Sequence, residues 1–126
     1  EKQSAMGNTA LMLACRNGHE PCARALLEKG ADKEAVQKEG FTALMLSCEH
    51  GHERCARALL GAKAAIDTQQ NGGWTALMWA CRNGHELCVR ALIKAKAAID
   101  VKNNRGQTAL MLCKLETLET LETLYT

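Results

Sequence analysis

Apolar and polar positions come in blocks of fixed order. Thr9 precedes a short apolar run, Ala10-Leu-Met-Leu-Ala-Cys15, and Asn17-Gly18 closes it. Leu11, Ala14 and Cys15 fall at i, i+3 and i+4, the one-sided spacing of a short helix. Thr9 stands where an N-cap belongs, and Gly18 supplies the left-handed backbone that ends such a helix. A second helix is predicted from about Glu20 to Lys29, with Cys22, Ala25, Leu26 and Lys29 at helical spacing and Leu27 beside them. A polar loop, Gly30 to Glu39, follows.

The block then repeats. Gly7, Gly40, Gly73 and Gly106 stand 33 residues apart, each followed by x-Thr-Ala-Leu-Met. Thr42, Thr75 and Thr108 are the matching caps, and Gly51 and Gly84 the matching stops. Asn17-Gly18-His19-Glu20 recurs as His50-Gly51-His52-Glu53 and Asn83-Gly84-His85-Glu86. Each is followed by Cys-x-Arg-Ala-Leu-[Leu/Ile], ending at Leu27, Leu60 and Ile93. Neither helix is long enough to be stable alone, since isolated helices under ~12–15 residues are marginal in water. Only stacking of successive pairs buries both faces, which predicts an all-α solenoid.

Composition narrows the picture. The chain has 126 residues, 47% hydrophobic and 24% charged, which suits one folded domain. Ala and Leu dominate while Val and Ile are scarce, which favours helix over sheet. No stretch approaches the ~20 apolar residues of a membrane span, so direct membrane insertion is not expected. A net charge of +2, dispersed and without an aromatic platform, gives no reason to expect a nucleic-acid partner. Seven Cys in a helical, Leu-rich chain predict free thiols in a reducing compartment inside the cell, the cytoplasm first and an organelle as the alternative. No signal peptide or transit segment is visible in the given sequence, which does not begin with Met.

The 33-residue period, Gly-x-Thr-x-Leu, Asn-Gly-His, the Leu-Leu pair and Gly30-Ala31-Asp32 resemble ankyrin repeats over about Met6 to Cys113. The resemblance implies a curved stack of helix pairs with β-hairpin fingers at about a right angle. It also implies a typical role in binding other proteins on the concave face. Three repeats (about 7–39, 40–72 and 73–105) and a truncated fourth (106–113) are expected within a single domain over 1–126. Three departures carry information. Ala10, Ala43, Ala76 and Ala109 replace the family's helix-starting proline. Met12, Met45, Met78 and Met111 replace its hydrogen-bonding His, so the polar fastening between repeats should be weaker. Two fingers read Lys63-Ala-Ala-Ile-Asp67 and Lys96-Ala-Ala-Ile-Asp100, so their turns should differ from Gly30-Ala31-Asp32.

After Cys113 the chain becomes a Leu-Glu-Thr run in which Leu115, Leu118, Leu121 and Leu124 recur every third residue. We expect a helix continuing from Ala109 into residues 114–126, covering the last repeat with Leu115 and Leu118, a frayed tail being the alternative.

The repeated Cys and His admit two chemistries. Cys15…His19…Cys22, repeated as Cys48…His52…Cys55 and Cys81…His85…Cys88, could suggest zinc. No fourth ligand is apparent, and both Cys positions lie on core-facing helix surfaces, so no metal and no cofactor is expected. A Cys–His nucleophile in three copies does not suit an active site, which is usually single, so no enzyme activity is expected. By the resemblance, the His is instead the residue that bridges helices through backbone hydrogen bonds.

Specificity should lie where the copies differ. The fingers present Lys38, Glu39 and Phe41, then Asn71, Gly72 and Trp74, then Asn104, Arg105 and Gln107. The inner helices add Arg16, Glu49, His50, Trp79, Arg82 and Asn83. Asn8 and Gln107, at the position of Phe41 and Trp74, suggest that those aromatics are exposed, and exposed aromatics ringed by Arg and Lys have the composition of an interface hot spot. Non-catalytic protein binding through Arg16, Lys38, Glu39, Phe41, Glu49, His50, Asn71, Trp74, Trp79, Arg82, Arg105 and Gln107 is therefore expected. The outer helices around Arg24, Arg57 and Arg90 form the alternative face. A fixed structural subunit of a larger, organellar assembly is the alternative function.

Overall fold

The computed structural model describes residues 6–125, with all of these side chains except Leu115, Glu116 and Tyr125. Eight helices and no strands occur among the described residues. The inner row is α1 (Ala10–Arg16), α3 (Ala43–Glu49), α5 (Ala76–Arg82) and α7 (Ala109–Leu112). The outer row is α2 (Glu20–Glu28), α4 (Glu53–Gly61), α6 (Glu86–Lys94) and α8 (Leu115–Tyr125). Each row packs helix on helix along the stack, and α1, α3 and α5 also pack on α2, α4 and α6. No helix among the described residues is long and apolar enough to cross a membrane.

Local chemistry sets these elements. Thr9, Thr42 and Thr75 each accept a hydrogen bond from the backbone N–H three residues on, at 3.2, 3.2 and 3.3 Å. That satisfies one of the orphan donors of each helix start without the family's proline. The i, i+3, i+4 faces then meet in a continuous core of Leu, Met, Ala and Cys side chains.

The fingers correct one expectation. Two backbone bonds close each tip: Gln37 N–H to Phe41 O at 3.1 Å with Gly40 N–H to Gln37 O at 2.9 Å, and the same pair at Gln70, Gly73 and Trp74 and at Asn103, Gly106 and Gln107. Both bonds lie within one five-residue turn and no strand ladder extends from it, so no β-hairpin forms among the described residues. The tips bond to one another instead. Asn71 donates from its backbone N–H to Glu39 O and from Nδ2 to Lys38 O, both at 3.1 Å. Asn104 does the same to Gly72 O at 2.9 Å and Asn71 O at 3.0 Å. This contact is tight: a Cβ on Gly73, whose φ is +85°, would stand 2.7 Å from Asn104 Oδ1.

Polar fastening also runs elsewhere. Glu34 accepts from Ala65 N–H at 3.0 Å and Asp67 from Ala98 N–H at 2.9 Å, each reaching into the next repeat. Asn83 Nδ2 and His85 Nε2 both lie 3.0 Å from Glu49 O. The polar links therefore persist without the family's His, while Met12, Met45 and Met78 are buried as packing. The turns after the outer helices do not differ as expected. Lys63 and Lys96 adopt φ of 67° and 74°, close to the 83° of Gly30. The same pair of backbone bonds closes all three turns, so two lysines hold a conformation that favours glycine.

The tail is helical but not continuous with α7. Cys113, with ψ of 139°, breaks the helix, and α8 turns back onto α6. Thr117, Thr120 and Leu121 are buried there. Thr117 Oγ1 bonds to Cys81 O at 3.0 Å, and Lys114 N–H donates to the same carbonyl at 3.2 Å. Leu118 is half-buried, and the side chain of Leu115, named above as the other cover, lies outside the described residues.

Candidate functional site

The faces divide by how their arginines are paired. On the outer row Arg24, Arg57 and Arg90 each meet a glutamate one turn earlier: Glu20, Glu53 and Glu86, the last at 2.9 Å. Arg90 holds the Glu86 carboxyl below its ordinary range, with Thr120 helping. These three charges are thus neutralised locally on a solvated surface, while Arg54 of α4 has no ion pair among the described residues.

The face between fingers and inner helices is different. Trp74 and Trp79 stack with centroids 4.3 Å apart, Phe41 lies 5.3 Å from Trp79, and the Arg82 guanidinium sits 5.5 Å over the Trp74 ring. The 33-residue register causes this: Phe41 and Trp74 leave equivalent finger positions, and Trp79 replaces the Leu of other inner helices and fills the gap between them.

Two cavities flank the aromatic cluster. One, of about 400 Å³, is lined by Trp74, Trp79, Arg82, Arg105 and Gln107 of the expected residues, with Gln70, Gly72 and Leu112. The other, of about 290 Å³, brings together Arg16, Glu39, Phe41, Glu49 and His50, with Gln37 and Leu46 among its walls. His50 Nε2 lies 3.4 Å from the Glu49 carboxylate there. Lys38 and Asn71 line neither cavity, and both are engaged in the links between fingertips. Phe41 is 8% exposed, so it is a wall and not a protruding contact. The expectation of an exposed Phe41 fails because Asn8, the polar residue at the equivalent position, is itself buried.

Gln37, Gln70 and Asn103 were not expected, yet they set the finger geometry. Each side-chain oxygen accepts the backbone N–H four residues on, at 3.1, 3.0 and 3.0 Å. The signal was available as amides at 33-residue spacing.

Among the described residues no group of three or more His, Cys, Asp or Glu could hold an ion. Cys15, Cys48 and Cys81 instead interact across repeats, with Cys55, Cys88 and Cys113. Burial, then the neighbouring Cys55, pushes the Cys15 thiol up to about 12. The hydrogen bond to Cys88, then burial, raises Cys48, and burial, then Cys113, raises Cys81. Such thiols stay neutral and are poor nucleophiles at neutral pH. Two depart from the core placement: Cys113 is half-buried, and Cys22 is exposed while its counterparts Cys55 and Cys88 are buried. Cys22 lies on α2, which packs against a single outer helix, α4, among the described residues.

A family model described as ankyrin repeats (three copies) matches residues 1–70 and again 62–126. A search of curated proteins finds no match. The chain belongs to the ankyrin-repeat family, whose members are generally protein–protein interaction modules and typically non-catalytic.

Proposed function

We propose, taking this chain as an ankyrin-repeat protein, that it binds a partner protein on the face between fingers and inner helices and catalyses no reaction itself. The aromatic cluster carries this reading. Two half-buried indoles, stacked and covered by an arginine, place large apolar area beside charge on an accessible surface. Interface hot spots are enriched in these residue types. The local pairing of Arg24, Arg57 and Arg90 on the outer row, against Arg82 and Arg105 here, which pair with no carboxylate among the described residues, favours this face. Seven free thiols support a reducing compartment, the cytoplasm first.

Cross-linking mass spectrometry in native extract identifies the partner. Trp74→Ala should then weaken its binding about 30-fold, with little change in thermal stability. Affinity that holds while the melt drops would make Trp74 a packing residue and move the binding face to the outer row. One observation favours a fixed structural subunit: Leu110 and Met111 lie exposed at the end of the inner row. A fixed subunit aggregates or copurifies with its partners; a reversible module is soluble and monomeric alone.

A further inference from the structure

We infer that the cavity floored by Trp74 and Trp79 binds a carboxylate side chain, Asp or Glu, on an extended acidic segment of the partner. This rests on the concave-face reading above and gives that partner its chemistry. The argument is one of unmatched donors. Gln70 Oε1 accepts the Trp74 N–H, which fixes its amide and leaves Nε2 as a donor. Asn103 Oδ1 accepts from Arg105 N–H and Gln107 N–H, so Asn103 Nδ2 donates to Gln107 Oε1. Gln107 Nε2 is thereby left as a second donor. Trp79 Nε1 is the buried side-chain N or O atom without a hydrogen-bond partner among the described residues. Arg82 and Arg105 complete the wall, and neither is paired with a carboxylate among the described residues. The uncommitted side-chain nitrogens on this wall are all donors and two belong to charged groups, a set that an acceptor-rich anion suits. A long polyanion does not suit the face, because Glu39 and Glu49 line the adjoining cavity. A short acidic stretch of peptide does.

The test is selection of a random dodecapeptide phage library on the whole chain. Both tryptophans of the protein lie in this site, so intrinsic fluorescence reports its occupancy. Selected peptides should carry Asp or Glu, change the indole emission, and weaken about tenfold with each of Arg82→Gln and Arg105→Gln. Melting curves confirm that both variants fold. Peptides that shift the indole emission and need Trp74 but ignore both arginine variants overturn the acidic chemistry and leave the face intact. Peptides that bind without touching the indoles or needing Trp74 overturn both. Equal competition by a dT20 oligonucleotide overturns the peptide carboxylate in favour of phosphate. A library that yields no enriched sequence overturns the acidic segment, and the cross-linked partner then tests the face independently.

Discussion

α3 and α7 begin with the same words, Thr-Ala-Leu-Met, and live in different surroundings. Leu44 and Met45 are 2% and 1% exposed; Leu110 and Met111 are 51% and 66%. α3 has a repeat on each side, whereas α7 has one behind it and a helix half as long to offer. Burial in this fold is conferred by neighbours, so the same substitution should cost very different amounts in the two places.

The largest effect expected is at that pair. Leu44→Ala should lower unfolding stability by about 3 kcal/mol, and Leu110→Ala by under about 1, read from urea denaturation. Equal losses would mean that the last inner helix is as well covered as the second. Next come two glycines with left-handed backbone. Gly73→Ala combines strain with a clash against Asn104 and should cost about 2–3 kcal/mol. Gly106→Ala, with nothing within 4 Å of its Cβ, meets the strain alone, about 1 kcal/mol.

Alkali should distinguish the interior in another way. Cys15 has a folded pKa raised from 9.0 to about 12. The stability held by its neutral thiol is complete below pH 9 and drains away as pH rises toward 12, because the unfolded chain loses its proton first. The loss is about 1.4 kcal/mol per pH unit for this thiol within that window. Denaturation at pH 8 and 10.5 should show a shallower decline in Cys15→Ala than in the parent; parallel declines would mean that this thiol is not held neutral. The smallest effect is a gain. Lys63→Gly and Lys96→Gly should each raise stability by about 0.5–1 kcal/mol, seen as a small rise in Tm. A loss would show that the lysine stems hold more than their backbone strain.

Sequence reading went furthest where the 33-residue period spoke. Thr9, Thr42 and Thr75 cap as expected, and Leu11, Ala14 and Cys15 face inward together. It went astray where a position's environment depends on the adjacent module. Cys22 matches Cys55 and Cys88 in pattern, yet α4 and α6 each pack between two outer helices while α2, among the described residues, packs against one. Phe41 looked exposed because Asn8 is polar, but a polar residue can be buried with its partners satisfied. In the tail, a three-residue Leu repeat drifts around a helix and does not pick a face. The break at Cys113 picked it, bringing Thr117, Thr120 and Leu121 against α6. In the site, the two tryptophans and two arginines were legible as types. Their amide supports were not, because Gln37, Gln70 and Asn103 read as loop residues until their oxygens are seen to hold the fingertips.

The relay of fingertips, from Lys38 through Asn71 to Asn104, joins modules only to their immediate neighbours, and so do the helix rows. Such an array transmits force in series. Pulled from its two ends, it yields module by module, beginning where a module is held on one side alone. Each module that gives way releases 33 residues of slack, about 110 Å of extended chain. The step of such a force–extension trace is thus set by the repeat length.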